Sequence, residues 1–360
     1  MAQGILWEVA SATPWSTKGA PARSFGLDSA PVPTIEARLE EALRLPAPET
    51  LGLAVQEHLR TGGKRIRARL AWACVRALGG SDEAALWWAA ACELLHNATL
   101  VHDDVQDGDR LRRGQPTVWA RHGLAEAINV GDWMIVMPTL LVERVPVDDG
   151  RRWRLARALQ RAAANAVRGQ SLEQTLNQLR GSEEDLYREV LLGKTGALLA
   201  LPVEGAAIIG GVSARITERL QGLFLKAGLL FQLQDDVLDC FGSKGREAIG
   251  SDIREGKVSA LVVAHLRRCP EETLRWRELL TRSREETTQE DVAWAIERFR
   301  CGGALRDVVA EIRTLRASLE RDEVWAQVPA LAPIAAELVT MTCAPIEHVL
   351  GEEEKTWNVA

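Results

Sequence analysis

The chain has 360 residues, of which 46% are hydrophobic and 26% are charged, a composition typical of a globular protein in water. Its formal net charge of −6 argues against general nucleic-acid binding, which needs a basic surface. No run of eighteen uninterrupted apolar residues occurs, so we expect no transmembrane segment, and the first thirty residues do not resemble a secretory signal. The six cysteines are scattered without a C-x-x-C pair. This pattern indicates reduced thiols in a cytoplasmic protein and argues against a zinc site.

Residues 1–33 are rich in Ala, Pro, Ser and Gly, and we interpret them as a loosely ordered N-terminal arm. From Thr34 onward apolar residues recur at helical spacing, beginning with Ile35 and Leu39, and the alternating pattern of strands is missing. The sequence therefore predicts an all-α protein with one large helical domain over residues 34–350 and a polar tail over 351–360. The later predicted helical stretches are Glu83–Val101, Trp153–Leu179, Glu183–Leu201, Ala214–Leu238, Val258–Leu266, Asp291–Phe299 and Leu305–Leu319.

Two segments, Asp103–Asp107 and Asp235–Asp239, carry the pattern D-D-x-x-D at the end of an apolar helical run. On a helix the first and last aspartate of each box share a face, where like charges repel by about 0.2–0.5 kcal/mol per pair. One such box alone would more often be a solvated acidic surface, but two copies with the same spacing favour a cation site. Oxygen-only ligands suit Mg²⁺, which commonly combines a few carboxylates with phosphate oxygens of a substrate.

Basic residues that could bind a phosphate group recur along the same part of the chain. They are GGKRIR (Gly62–Arg67), RRG (Arg112–Gly114), KT (Lys194–Thr195) and Lys257. The first cluster is expected to open a helix and to place Lys64 and Arg67 one turn apart. Arginine forks and lysine charges are the side chains that recognise phosphate. Together with the two aspartate boxes, they predict a site for a magnesium-bridged diphosphate.

These motifs, in this order, resemble those of the trans-type isoprenyl diphosphate synthases, or polyprenyl synthetases, from about Gly62 to Lys257. The motifs that carry the resemblance are GGKRIR (Gly62–Arg67), ELLHNATLVHDDVQD (Glu93–Asp107), RRGQPT (Arg112–Thr117), GD (Gly131-Asp132), GQ (Gly169-Gln170), GKT (Gly193–Thr195), FQLQDDVLD (Phe231–Asp239) and GSDIREGK (Gly250–Lys257). The chain departs from the family at Glu173, where Asp is usual, and after Lys257, where Val-Ser-Ala replaces Thr-Leu-Pro.

The resemblance implies an isoprenoid synthase fold around a central cavity and a homodimer. It also implies a Mg²⁺-dependent prenyltransferase that condenses isopentenyl diphosphate with an allylic diphosphate by ionisation, condensation and elimination. The implied magnesium ligands are Asp103, Asp104, Asp107, Asp235, Asp236 and Asp239. The residues implied to bind the allylic diphosphate are Arg112, Lys194, Thr195, Gln232 and Lys257. Those implied to bind isopentenyl diphosphate are Lys64, Arg67, His96 and Arg113. Catalysis is expected to depend most on Asp103, Asp107, Asp235, Lys194 and Arg112.

Product length in this family is set by residues just before the first aspartate box. Here Ala98 and Thr99 are small, and Leu95, one helical turn deeper, is of moderate size. Bulky aromatic residues at these positions would stop the chain near C15, so we predict a C20 product, geranylgeranyl diphosphate, or a longer one.

Three other functions fit part of the pattern. A class I terpene cyclase shares the fold and the first box, but its second metal motif usually mixes Asn or Asp, Ser or Thr, and Glu. A di-iron bundle needs two E-x-x-H motifs, and only Glu93–His96 is evident. A non-catalytic subunit of a heteromeric synthase commonly lacks one aspartate box, whereas this chain has both.

Overall fold

The computed structural model describes residues 25–42, 49–179, 183–242 and 249–351. Residues 1–24 of the predicted arm and residues 352–360 of the predicted tail lie outside the described residues. The described end of the arm is packed against the domain, because Leu27 is only 1% exposed. Its backbone N–H donates a hydrogen bond to Glu337 Oε2 at 2.8 Å. The prediction of a loose arm is therefore wrong for these residues.

The described residues form sixteen α-helices, which confirms the all-α prediction. In chain order they are α1 (Val32–Ala42), α2 (Glu49–Arg60), α3 (Ile66–Ala77), α4 (Asp82–Gln106), α5 (Val118–His122), α6 (Leu124–Leu141), α7 (Asp149–Leu179), α8 (Glu184–Leu191), α9 (Ala197–Ile209), α10 (Ala214–Phe241), α11 (Ser251–Arg254), α12 (Ala260–Arg268), α13 (Thr273–Thr281), α14 (Gln289–Cys301), α15 (Ala304–Glu320) and α16 (Ala332–Cys343). A π-helical turn, Leu192–Gly196, joins α8 to α9.

Helix α4 lies at the centre of the fold and packs against α3, α6 and α9. Ser81 caps its start by accepting a hydrogen bond from the backbone N–H of Ala84 at 3.2 Å, and two acidic residues of the first turn suit the positive end of the helix dipole. Fourteen of the next fifteen side chains are buried, from Ala84 to Ala98, so the helix is surrounded by protein on all sides.

Close packing between α4 and α9 depends on a glycine. Trp88 of α4 is fully buried, and its indole N–H donates to the carbonyl of Pro202 at 3.0 Å. A Cβ atom on Gly205 would lie 2.0 Å from the Trp88 ring, so only glycine leaves room for the indole. The tryptophan and the glycine together fix α9 against the helix that carries the first aspartate box.

The fold also contains a two-stranded antiparallel hairpin, which the sequence does not predict. Its strands are β1 (Leu111–Arg112) and β2 (Gln115–Pro116). The turn between them has positive φ angles at Arg113, 52°, and Gly114, 76°, as two-residue hairpin turns require. Strands of two residues are too short to show an alternating pattern. The hairpin nevertheless fixes where the arginine pair Arg112-Arg113 lies.

Three helical stretches are long and apolar enough to cross a membrane by length and composition alone: Leu124–Arg144, Glu184–Ile209 and Pro329–Gly351. The expectation of no transmembrane segment rests on uninterrupted apolar runs, and it misses these stretches because isolated polar residues interrupt them. In the fold, 78% of the apolar window of Glu184–Ile209 is buried in protein, against 44% for each of the other two. Packing inside the domain thus accounts for most of the apolar character of the second stretch.

Candidate active site

The two aspartate boxes occupy the C-terminal ends of α4 and α10. Asp103 and Asp104 lie in the last turn of α4, and Asp107 is its C-cap residue, with its N–H bonded to the Asp103 carbonyl at 2.8 Å. Asp235 and Asp239 lie in the last two turns of α10. Carboxylates at this end of a helix are disfavoured by the helix dipole as well as by each other, so both boxes need cations nearby.

Cations from three segments of the chain meet the first box. Arg112 of β1 binds Asp104, with its Nε and Nη2 atoms at 2.7 and 2.6 Å from Oδ1. Lys194 Nζ lies 3.8 Å from Asp103 Oδ1, and Lys257 Nζ lies 3.3 Å from Asp107 Oδ2. The fold therefore brings together three of the basic residues that the sequence singles out, around one aspartate box.

Lys194 and its neighbour Thr195 connect the two boxes. While Lys194 reaches Asp103 on α4, Thr195 donates from Oγ1 to Gln232 Oε1 on α10 at 3.2 Å. Gln232 in turn donates to Asp236 Oδ1 at 3.0 Å. This chain of contacts places the end of α10 beside the end of α4.

The lysine is carried on the π-helical turn, a type of irregularity that is frequent at functional sites. Gly193 permits this turn to lie against α7, because a Cβ atom there would be 2.8 Å from the carbonyl oxygen of Asn165 and 3.0 Å from Gly169 Cα. From α7, Glu173 accepts a hydrogen bond from Lys194 Nζ at 2.6 Å. The residue where the chain departs from the family pattern thus holds the lysine in place.

Charge and burial shift the ionisation of these groups. Burial raises the pKa of Asp103 to about 6, and the carboxylates of Glu173 and Asp107 act in the same direction, against the attraction of Lys194. For Lys194 burial alone would lower the pKa, but Asp103 and Glu173 outweigh it and raise the pKa above its usual value. Asp107 and Glu255 do the same for the pKa of Lys257. Both lysines therefore remain charged at neutral pH.

The aspartates of the second box differ in their surroundings. Asp235 is half-buried, whereas Asp236 and Asp239 are 3% and 2% exposed. Both oxygens of Asp236 accept hydrogen bonds, from Gln232, from the Tyr187 hydroxyl and from the Ala260 N–H. Both oxygens of Asp239 do so too, from the Ser251 hydroxyl and from a backbone N–H. Protein donors therefore orient both carboxylates, and the magnesium-ligand role of Asp236 and Asp239 stays a prediction.

Three of the four residues implied to bind isopentenyl diphosphate, Arg67, His96 and Arg113, lie near one another beside the hairpin. Arg67 Nη1 lies 3.0 Å from His96 Nε2, and burial lowers the pKa of Arg67 to about 10. Burial and the positive charge of Arg67 keep the pKa of His96 well below its usual value, so the ring is neutral. Arg113 donates to the carbonyl of Gly62. This bond ties the hairpin turn to the loop of residues 61–65, which precedes α3.

The prediction that Lys64 and Arg67 share a helical turn is wrong. Helix α3 begins only at Ile66, since Arg65 before it has a φ of 51°, in the left-handed region. Lys64 is consequently exposed outside the helix. Arg65 is buried instead, and its Nη1 lies 3.4 Å from Glu93 Oε1, which stabilises the loop.

The E-x-x-H motif on α4 serves the same loop. Glu93 binds Arg65 and also accepts from the backbone N–H of Ala68 at 3.3 Å, while His96 contacts Arg67. Glu93 and His96 thus contact different arginines. This pairing argues against the di-iron alternative.

The residues expected to limit product length are also on α4. Leu95 and Ala98 are 1% and 0% exposed, while Thr99 is half-buried and donates to the His96 carbonyl at 2.8 Å. Met134 and Met137 of α6, the helix that packs along α4, are buried as well. The wall assignment remains a prediction.

Sequence reasoning missed three residues that hold the site together. Tyr187, the single tyrosine of the chain, and Ser251 bind the second aspartate box. Asn177 of α7 accepts from the backbone N–H of Val258 at 3.2 Å, next to Lys257. No spacing rule links these residues to the boxes, since their contacts arise only when distant helices pack.

The donor set fits a magnesium ion that is shared with a substrate. Among the residues that the structure describes, no three His, Cys, Asp or Glu side chains cluster tightly enough to hold a metal ion by themselves. Mg²⁺ is usually bound by one or two carboxylates together with substrate phosphates and water, and not by an all-protein cage. Asp104 Oδ2 is buried without a hydrogen-bond partner. The carboxylates at the helix ends therefore suit Mg²⁺ only in combination with a phosphate ligand.

Comparison with known proteins shows which family the sequence matches. The polyprenyl synthetase family model matches residues 48–299. The short chain isoprenyl diphosphate synthase of Methanothermobacter thermautotrophicus is 36% identical over 273 residues, 74% of this chain and 82% of that protein.

Solved structures resemble the fold as well. A geranylgeranyl pyrophosphate synthetase from Pyrococcus horikoshii has a TM-score of 0.75 at 26% identity, over 86% of this chain and 95% of that one. A geranylgeranyl pyrophosphate synthase from Corynebacterium glutamicum, solved with isoprenyl diphosphate and magnesium, has a TM-score of 0.70 at 27% identity, over 86% and 95%. The match to the family model and the identity to its members show that this chain belongs to the polyprenyl synthetase family and is a prenyltransferase of isoprenoid biosynthesis.

Proposed function

We propose that this enzyme condenses isopentenyl diphosphate with an allylic diphosphate and releases geranylgeranyl diphosphate or a longer product. The observation that carries the proposal is the meeting of Arg112, Lys194 and Lys257 at the first aspartate box. The second box is connected to it through Thr195 and Gln232. The basic side chains suit the phosphate groups of a ligand, and the neighbouring carboxylates suit a divalent cation bound to those phosphates.

The magnesium ligands we propose are Asp103, Asp104, Asp107 and Asp235. Asp103, Asp107 and Asp235 are at least partly exposed near the ends of their helices, and Asp104 has a buried oxygen without a hydrogen-bond partner. When bound, Mg²⁺ would act as a Lewis acid that stabilises the negative charge of the departing diphosphate. Magnesium binding should weaken below about pH 6, because burial raises the pKa of Asp103 to about 6. A protonated carboxyl group does not bind the metal.

Lys194, Thr195, Gln232, Lys257 and Arg112 would bind the allylic diphosphate. As its C1–O bond breaks, the electron pair leaves with the diphosphate, and the fixed positive charges stabilise that pair without reorganisation. Both lysines are charged beforehand, because neighbouring carboxylates raise the pKa of each.

Lys64, Arg67, His96 and Arg113 would bind isopentenyl diphosphate. The double bond of that substrate attacks C1 of the allylic cation, and a proton is then lost from the adduct to the released diphosphate. The neutral ring of His96 positions the Arg67 guanidinium, 3.0 Å away, without adding a competing charge. Exclusion of water from this region protects the cation.

A homodimer is the assembly that we propose. Helix α6 exposes two pairs of large apolar side chains on either side of the exposed Asp132: Leu124 at 56% with Ile128 at 44%, and Val136 at 57% with Leu140 at 46%. The members of each pair are four residues apart and share a face, and exposed apolar side chains grouped on one helix are typical of a protein interface. Ile128→Glu should shift sedimentation velocity toward the monomer, whereas Leu274→Glu, on α13 and 73% exposed, should leave the dimer intact.

Replacing the proposed ligands tests the function. Asp103→Ala and Asp235→Ala should each lower turnover by roughly two or more orders of magnitude, the loss expected when a stabiliser of developing charge is removed, while circular dichroism stays unchanged. Asp185→Ala removes an exposed aspartate of α8 and serves as the control. Near-normal turnover in both ligand variants would contradict the proposal.

A further inference from the structure

The segment that carries Lys257 is fixed at its start by the last aspartate of the second box. We refer to residues 250–260 as the Lys257 segment. The Asp239 carbonyl accepts from the Gly250 N–H at 3.0 Å. The Asp239 carboxylate accepts from the Ser251 hydroxyl at 2.5 Å and from the Asp252 N–H at 3.2 Å. One aspartate therefore binds three consecutive residues at the start of the segment.

The end of the segment is fixed by the middle aspartate of the same box. Asp236 Oδ2 accepts from the N–H of Ala260 at 2.6 Å, at the first residue of α12. The same oxygen accepts from the Tyr187 hydroxyl at 2.6 Å. Asp236 and Asp239 are three residues apart on α10, so one turn of that helix binds both ends of an eleven-residue segment.

Between these two anchors the backbone turns back toward the first box. The Lys257 N–H donates to the Asp252 carbonyl at 2.9 Å, and Gly256 makes the turn with a φ of 68°. A Cβ atom on Gly256 would lie 2.4 Å from the Leu280 carbonyl oxygen. The turn directs the lysine to Asp107, 3.3 Å from its Nζ.

We infer that, within the function proposed above, Asp236 and Asp239 are positioning residues that hold the Lys257 segment and are not magnesium ligands. Both are almost completely buried, and their oxygens receive donors from the segment, from Tyr187 and from Gln232. If one end of this segment is released, the freed residues regain backbone entropy. The segment then holds Lys257 less firmly at Asp107. The second box thus has two roles: Asp235 serves the metal, and the other two aspartates place a lysine of the diphosphate site.

Variants of the residues that donate hydrogen bonds to Asp236 and Asp239 separate the positioning role from the metal-binding role, because they leave both aspartates in place. Ser251→Ala removes the hydroxyl donor to Asp239, and Tyr187→Phe removes the hydroxyl donor to Asp236. Ser259→Ala is the matched control: Ser259 belongs to the same segment and is 7% exposed, but its hydroxyl makes no hydrogen bond to any residue that the structure describes. Asp239→Asn completes the set.

Two measurements are made on the full chain. Hydrogen–deuterium exchange of peptides covering residues 250–260, without substrate or metal, reports how firmly the segment is held. Loss of a hydrogen bond to a charged group should speed exchange about tenfold or more in Ser251→Ala and Tyr187→Phe, with no change in Ser259→Ala. Steady-state kinetics should show the KM for the allylic diphosphate rising several-fold in the same variants, while the Mg²⁺ concentration for half-maximal rate stays within about twofold of the original value.

The inference is overturned if exchange in Ser251→Ala and Tyr187→Phe equals that of the Ser259→Ala control. It is also overturned if Asp239→Asn raises the Mg²⁺ requirement by tenfold or more while Ser251→Ala does not, because the carboxylate would then serve the metal. Exchange needs no turnover, so it decides the positioning role even if the chain condenses none of the substrates. That last result would refute the proposed function alone.

Discussion

Replacing Asp103 with asparagine removes a partly buried negative charge while nearly preserving the shape of the side chain, so we expect the metal-free protein to become more stable above pH 6. The carboxylate has a Lys194 amine 3.8 Å away, but it also lies close to the carboxylates of Glu173 and Asp107. Burial, with these two charges, raises its pKa from 3.8 to about 6.

The size of the effect follows from that difference in pKa. Each unit of difference between the folded and unfolded pKa corresponds to 1.36 kcal/mol, so ionising Asp103 costs the folded chain up to about 3 kcal/mol. Because the folded pKa is higher than the unfolded one, the folded chain holds the extra proton. The cost therefore appears as the pH rises from about 4 and is complete above about 6. We expect Asp103→Asn to gain about 1–3 kcal/mol at pH 8 and about half as much at pH 5.

Urea unfolding followed by tryptophan fluorescence, with a chelator present, measures this gain at both pH values. Asp185→Asn is the control, since that side chain is exposed on α8, and its stability should match that of the original chain within about 0.5 kcal/mol. If Asp103→Asn is no more stable than the original chain at pH 8, the reasoning is refuted. The negative charge of Asp103 would then not destabilise the metal-free fold.

Two further substitutions test the cavity wall and the π-helical turn. Ala98→Phe should shorten the product, because Ala98 is fully buried before the first box; an unchanged product on radiolabelled chromatography would remove it from the wall. Gly193→Ala places a Cβ 2.8 Å from the Asn165 carbonyl, so it should lower the melting temperature by several degrees and raise the KM for the allylic diphosphate. Gly222→Ala, where nothing lies within 4 Å, should instead be neutral or stabilising, and equal effects of the two would contradict this packing argument.

The helical fold and the grouping of the charged motifs could be predicted from the sequence because both depend on local patterns. Helical periodicity identifies α4 and α10. The two boxes are recognised at the ends of those helices by their repeated D-D-x-x-D pattern. Their cations could be named for the same reason: Arg112, Lys194 and Lys257 each lie in a short motif, and the fold brings all three to the first box.

The individual roles within the motifs could not be predicted, since they depend on tertiary packing. The sequence does not distinguish the three aspartates of the second box. In the fold, however, Asp236 and Asp239 receive hydrogen bonds from Tyr187, Ser251 and the backbone of α12. Lys64 falls outside its expected helix because Arg65 adopts a left-handed conformation and is buried against Glu93. Neither outcome has a signal in local spacing.

The most direct test of the central claim uses the purified chain with Mg²⁺, isopentenyl diphosphate and, in turn, dimethylallyl, geranyl and farnesyl diphosphate, with the products sized by mass spectrometry. We expect condensation that stops at C20 or beyond, and no hydrocarbon when geranylgeranyl diphosphate is supplied alone. Hydrocarbon from geranylgeranyl diphosphate would identify a cyclase. Failure to condense isopentenyl diphosphate with any of the three starters would contradict the account.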